Sequence, residues 1–444
     1  MIDQNVLQQA FTLIDNYVLC DNCLGRQFGA LGTGLTNAKR GKALKTVMTL
    51  SIDQSWRNNN YNVDSVLINL SKSDFEPALG IHKKFATKKG VEFSIESSTC
   101  ELCNGLFSEV RLSELAAACI NQAQPFEYLT FLVGSIFPGE TLEKEDELRA
   151  RWNLSYGESI KSEFNRELGK VVASLLRDDA TVDFLAPDIV FVVDIKTSEI
   201  SLSINPLFVS GKYRKLQGGI SQSVWHCKAC RGAGCEKCDG TGKKYLHSVE
   251  EFIVHPMIQI VEADDARFHG SGREDVDARM LGTGRPFVVE LKNPKKRYPD
   301  LKVLETAINE QAKGYVEVEL EDFVKRNKVR ELKTLSSRMS KKYELTVEFE
   351  QPTILSQEKI EEINTFFTNK LINQRTPQRV AHRRANLIRT RKVHSLTIQP
   401  TDEFHALITI HCEGGLYVKE LATGDDGRTD PNLAELIGVN IIPK

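Results

Sequence analysis

Residues 269–287 read HGSGREDVDARMLGTGRPF. The stretch separates two apolar runs, EEFIVHPMIQIV at 250–261 and FVVEL at 287–291. Both are expected as strands, which would hold a glycine-rich, charge-rich loop between two pieces of sheet. Gly270, Gly272, Gly282 and Gly284 let the backbone turn tightly or approach a ligand closely. Between them stand Arg273, Glu274, Asp275, Asp277 and Arg279. A carboxylate beside arginines on such a loop can act as nucleophile or base. The same residues also suit a solvated turn with ordinary ion pairs, so the rest of the chain has to decide between the two.

Downstream of residue 248, further strand-like runs follow: GYVEVELEDF, KYELTVEFEQP, SLTIQP and HALITIHCEGG. Helical segments interrupt them. The clearest is SQEKIEEINTFFTNKLI, with Ser356 as N-cap and Ile360, Ile363, Phe366, Phe367 and Leu371 as the buried stripe. This order predicts an α+β catalytic domain over 246–444 with a mixed, largely antiparallel sheet. From Leu371 to Pro400 the chain carries Arg375, Arg379, Arg383, Arg384, Arg389, Arg391 and Lys392 without one Asp or Glu. A solvated face usually mixes signs, so this run reads as the footprint of a phosphate backbone. Lys295, Lys296 and Arg297 of NPKKR are a second candidate contact.

Upstream, NVLQQAFTLIDNYV is a helix that delivers the chain to the first of four C-x-x-C pairs. Cys20/Cys23 and Cys100/Cys103 suit one closed tetrahedral zinc site of four cysteines. Cys227/Cys230 and Cys235/Cys238, spaced C-x2-C-x4-C-x2-C, suit a second, which would form a knuckle and hinge at 226–245. One structural zinc is therefore expected, and the spacing permits two. Cys119 and Cys412 read as structural thiols. Residues 1–225 form the expected accessory domain. In it, SYGESIKSEFNRELGKVVASLL is an amphipathic helix, and PDIVFVVDIKTSEISLSINPLFVSGKYRKL a hairpin of two long strands turning near Thr197–Glu199.

At 444 residues the chain is long enough for two or three domains, and 41% hydrophobic content is ample for their cores. A formal net charge of -2 means that any polyanion must be held by local basic patches. No run of about 18 apolar residues occurs, so a membrane partner is not expected; the reading is a soluble, cytoplasmic monomer without an organic cofactor.

The spelling G-R-E-D-x-D-x-R-M-L-G-x-G-R-P-F resembles the catalytic signature of the archaeal and eukaryotic tRNA pseudouridine synthases that act on positions 54 and 55 of the TΨC arm. K-K-Y at 341–343, G-L-Y-V-K-E-L-A-T-G-D-D-G-R-T at 415–429 and the N-terminal C-x-x-C pairs match as well, so the resemblance runs from about Cys20 to about Ile437. It implies a pseudouridine-synthase fold with Asp275 as the catalytic carboxylate. Tyr343 would stack on the target base, and Lys419 would pair with Asp275. Arg273, Arg279, Tyr417 and Leu421 complete the implied substrate contacts. The helix-then-hairpin ending in S-G-K-Y-R-K resembles the close of a THUMP domain, here at about 80–215. In several tRNA-modifying enzymes that module holds the acceptor end, which would make Lys212, Arg214 and Lys215 phosphate contacts.

Two other readings stay open on residues alone. Glu274, Asp275 and Asp277 could hold Mg2+ in a nuclease, or the chain could be a zinc-dependent RNA-binding protein without chemistry.

Overall fold

A computed structural model of the chain describes residues 5–58, 65–177, 179–335, 339–382 and 384–444. They fall into two compact units. The first comprises residues up to Pro206 together with Val261–Asp265 and Lys292–Pro299, and the second holds the remainder.

In the first unit the opening helix, Val6–Asn16, is capped by Asn5, whose side chain accepts from the Gln8 N–H. Its Ala10, Leu13 and Ile14 pack into a core shared with helices Asn37–Arg57, Glu109–Ala123 and Ile160–Leu176. The last of these is capped by Ser159 and buries Ile160, Phe164, Leu168 and Val172, one residue per turn at spacing four. It packs on a four-stranded sheet ordered β2-β1-β3-β4, with β1 Thr130–Ile136, β2 Thr181–Val182, β3 Ile189–Asp194 and β4 Ile200–Ile204. β1 pairs in parallel with β2 and β3, and β3 turns back on β4. The expected turn at Thr197–Glu199 is present, but the second long strand is not continuous. It breaks at Asn205–Pro206, because proline has no N–H for the ladder.

The next strand belongs to the second unit, so the unit boundary lies at Pro206–Leu207 rather than near residue 225. β5 (Leu207–Lys215) is an inner strand of a sheet ordered β6-β7-β5-β8, with β6 Asp265–Gly270, β7 Met280–Lys292 and β8 Val316–Val324. β5 is antiparallel to both β7 and β8. The cysteine knuckle and helix Val249–Val261 lie between β5 and β6 in the chain. That helix is the run EEFIVHPMIQIV, expected as a strand. A largely apolar run does not distinguish a buried helix from a buried strand by period, and the signals that decide are Ser248 hydrogen-bonded to Glu251 at the N-terminus and a length of 13 residues.

A second sheet, ordered β13-β10-β11-β12-β9-β14, completes the unit. Its strands are β9 Ser340–Phe349, β10 Lys370–Arg375, β11 Ile388–Pro400, β12 His405–Glu413, β13 Thr429–Asp430 and β14 Ile441–Pro443. Its strand pairings are antiparallel. Helix Gln357–Phe367, capped by Ser356, lays Ile363 and Phe367 on it. The helix stops earlier than its apolar stripe suggests, because Asn369 takes a left-handed φ of 57° and leads into β10. Leu371 is therefore a strand residue, 59% exposed, and not part of the buried stripe.

Candidate active site

β6 ends at Gly270 and β7 begins at Met280, so the loop bearing Asp275 leaves and re-enters one sheet. Gly272, Gly282 and Gly284 all have positive φ, the conformation for which glycine was expected there. Asp275 Oδ1 accepts from Arg379 Nη1 at 2.9 Å. The Nε and Nη2 edge of the same guanidinium faces Glu420, at 2.5 and 3.4 Å. Burial works against the charge on Arg379, but Glu420 and then Asp275 outweigh it and hold the guanidinium more firmly protonated than a free one.

The expected pair between Lys419 and Asp275 is not formed. Lys419 pairs with Asp277 instead. Burial of Asp277 opposes ionisation, yet the Lys419 ammonium holds its carboxyl below the usual range. The exchange follows from helix geometry. Lys419 and Glu420 are adjacent in helix Val418–Thr423 and so point about 100° apart; Lys419 is half-exposed while Glu420 is buried against Arg379. Gln374 clamps this helix, accepting from the Tyr417 N–H and donating to the Tyr417 carbonyl.

Tyr343, on β9, is half-buried opposite Ile410 of β12. Burial pushes its hydroxyl up to about 12, with smaller effects from Cys412 and from Asp275, so it stays neutral and able to donate at ordinary pH. Lys341, two residues earlier and on the same face, is lowered by burial and by Arg285.

Glu274 points away from Asp275 into a buried network. Both of its oxygens accept from the Tyr213 hydroxyl, at 2.8 and 2.9 Å, and Oε2 also accepts from Gln222 Nε2 at 3.2 Å. Arg285 Nε lies 3.1 Å from Glu274 Oε2 but has no properly directed hydrogen bond, so this contact is an ion pair only. Arg285 Nη1 donates to the Ser271 carbonyl. Glu274, Asp275 and Asp277 are thus each matched to a cation. Among the described residues, only the two cysteine sets bring three or more metal-binding atoms together.

Within each set the four thiols lie within 4.8 Å of one another. Cys20–Cys103 is 3.7 Å, and Cys227–Cys235, Cys230–Cys238 and Cys235–Cys238 are 4.0, 3.8 and 3.7 Å. Tetrahedral zinc at about 2.3 Å from each sulfur requires S···S separations of about 3.8 Å, so both sets fit that ion. Cys20/Cys23 and Cys100/Cys103, about 80 residues apart in sequence, do converge. Arg26 Nη1 lies 2.6 Å from Cys23 Sγ and pairs with buried Glu145, which supplies positive charge beside the thiolates such a metal would bind.

The other expected contacts divide. Leu421 is fully buried in the core under the second sheet and so is not a substrate contact. Lys212 and Arg214 lie on β5, each paired with a glutamate of β8, Glu321 and Glu317. Lys215 is buried. None of the three closes a THUMP hairpin. Arg297 is buried against Asp188 and the Asn205 carbonyl, while Lys295 and Lys296 face Glu262. Arg389 and Arg391 are tied to Thr376 and to the Gly414 carbonyl, and Lys392 is half-buried. Arg375, Arg384 and Arg279 are exposed, and Arg273 lies over the Trp225 ring at 4.9 Å. Arg383 falls outside the described residues. Sequence reading missed the roles of Arg379, Glu420, Gln374 and Arg285. Glu420, inside the matched G-L-Y-V-K-E-L motif, and Arg285, inside G-x-G-R-P-F, carried a signal.

The fold and this site define a two-unit α+β enzyme with an arginine-held aspartate on a glycine-flanked loop. Residues 208–442 match the family model "Pus10, C-terminal", and 115–194 match "Pus10 THUMP domain, archaeal". The "tRNA pseudouridine synthase Pus10" of Methanothrix thermoacetophila is 39% identical over 98% of this chain and 92% of its own, and that of Methanocaldococcus jannaschii 40% identical over the same shares. The Cbf5 complex with Nop10 and Gar1 is a solved structure similar over 42% of this chain and 40% of its own, at 16% identity and a TM-score of 0.25. The chain belongs to the Pus10 family.

Proposed function

We propose that the protein isomerises uridine 54, uridine 55 or both to pseudouridine in the TΨC arm of tRNA, as a monomer in the cytoplasm, with Asp275 as the reacting carboxylate. The observation that carries this reading is the Arg379-held Asp275 on its glycine-flanked loop, with the Tyr343 hydroxyl close enough to feel its charge. The reaction breaks the N1–C1′ bond, turns the base and makes C5–C1′; the C5 proton leaves and N1 gains one. It therefore needs neither oxidant nor nucleotide. Asp275 serves as nucleophile or as base at the ribose, and Arg379 keeps the carboxylate oriented while charge shifts during the step. Tyr343 offers a flat, neutral face and an O–H to a uridine flipped out of the folded arm.

The two cysteine sets hold structural zinc; the first cross-links segments about 80 residues apart, and the second staples one short knuckle. The THUMP unit contacts the acceptor end, and exposed Arg375 and Arg384 contact the backbone nearer the site. The test is incubation of purified protein with an unmodified tRNA transcript, without nucleotide and with Mg2+ chelated after the RNA has folded. Carbodiimide treatment and primer extension should then show new stops at position 54, 55 or both. A transcript without stops would reject the activity, and cleavage that appears only when Mg2+ is restored would favour the nuclease.

A further inference from the structure

Lys215, the last residue of β5, is 0% exposed. Its ammonium donates to three main-chain carbonyls: Ile220 at 2.9 Å, Asp275 at 3.1 Å and Val276 at 2.9 Å. An ammonium has three donors, so all are used. Taking it out of water is costly, and a methionine of similar volume would avoid that cost. The Asp275 carbonyl also accepts from the Ala278 N–H at 3.2 Å, so the ammonium fills the remaining acceptor capacity of carbonyls in a loop outside helix and strand and ties that loop to β5.

The residues after Lys215 continue along the same loop. Gly219 N–H donates to the Val276 carbonyl at 2.9 Å, and Gln222 Nε2 to the Gly272 carbonyl at 2.9 Å. At Gly218 a Cβ would stand 2.5 Å from the Asp277 carbonyl oxygen, so the two backbones touch where only glycine fits. Residues 215–222 therefore form a strap against 272–277. The strap takes up the carbonyls of Gly272, Asp275 and Val276, while Arg379 holds the Asp275 carboxylate.

We infer that Lys215 and the strap it anchors are positioning residues for Asp275, fixing the main chain of the reacting residue as Arg379 fixes its carboxylate. This rests on Asp275 being the reacting carboxylate. An oxygen that must meet one atom of a flipped nucleotide loses about 10²-fold in rate when displaced by about 1 Å, and Lys215 itself is too deeply buried to touch RNA.

The test uses the full chain and an unmodified tRNA transcript, measuring the single-turnover rate with enzyme in excess and, separately, the Kd for tRNA. Lys215→Met should lower the rate by about 10²-fold and leave Kd within about threefold. Lys215→Arg, which keeps a cation, should run faster than Lys215→Met. Gly218→Ala, which displaces the strap with Lys215 intact, should lower the rate by about tenfold, again with little change in Kd. If Lys215→Met does not fold, Gly218→Ala decides alone: a rate loss at unchanged Kd supports the inference and a wild-type rate overturns it. A folded Lys215→Met protein within about threefold of wild type overturns it, as do equal rates for Met and Arg, or losses in rate and affinity of the same size. Asp275→Asn, run in parallel, separates the two readings. If it remains active, the assignment of Asp275 itself has failed; if it is inactive while Lys215→Met is not, only the strap has.

Discussion

Two carboxylates two residues apart, each with its own cation, invite direct comparison. Asp275→Ala should abolish pseudouridine formation with tRNA Kd within about threefold, because a reacting group contributes to the transition state more than to ground-state affinity. Asp277→Ala should be much milder; the reverse order would mean that the motif is misaligned. Their partners differ in the same sense. Arg379 spans Asp275 and Glu420 with two edges of one planar group, which a lysine's point charge cannot do. Arg379→Lys is expected to lower the single-turnover rate by about 10²-fold, whereas Lys419→Met, whose ammonium pairs with the exposed Asp277, should stay within about tenfold. A larger loss at Lys419 than at Arg379 would reverse the assignment made from these distances.

The helix Ile160–Leu176 carries a titration that reports on its burial. Glu163 is fully buried, with Oε1 accepting from Asn22 and Oε2 without a partner. Burial pushes its carboxyl up to about 7, against an opposing effect of Asn22. The folded pKa lies above the ordinary value of 4.5, so the folded chain keeps a proton that the unfolded chain has lost across that window. The contribution of Glu163 to stability is complete below the ordinary value and disappears as pH rises through about 7. Glu163→Gln cannot ionise, so its melting temperature relative to wild type should climb between about pH 5 and about pH 7.5; a flat difference would mean that the site is wetter than it looks. The cysteine sets should behave as closed structural centres. Cys20→Ser or Cys103→Ser should give insoluble or destabilised protein, because the site joins elements of one core and its metal affinity is folding free energy. Elemental analysis should find one to two zinc per chain, and soluble, active protein without zinc would reject that role.

For the molecule as a whole, β5 decides where the chain can be divided. It lies between β7 and β8 and carries Tyr213 and Lys215 beneath the Asp275 loop. A chain beginning at residue 241 lacks that inner strand and should not fold, whereas one beginning at Leu207 keeps it. On the proposed contact between the THUMP unit and the acceptor end, which only whole tRNA has, the second should retain an isolated TΨC stem-loop as substrate while losing far more activity on whole tRNA. Equal losses on both RNAs would assign the first unit to supporting the catalytic fold instead. Much of this was legible in residue order. The loop glycines, the four C-x-x-C pairs, the alternation of β8, β9 and β12 and the 3.6-residue stripe of Ile160–Leu176 are local signals, each set by backbone geometry or ligand chemistry over a few residues. The family resemblance of the 269–287 loop was equally plain from its spelling. The helix at Val249–Val261 was not, because a run so largely apolar satisfies either period and only its packing chooses. Nor could the order of residues distinguish Arg379 from its basic neighbours, or Lys419 from Arg379 as the partner of Asp275. Those pairings join residues more than a hundred positions apart, and a charge in a sequence has no direction until helix, strand and loop have been packed around it.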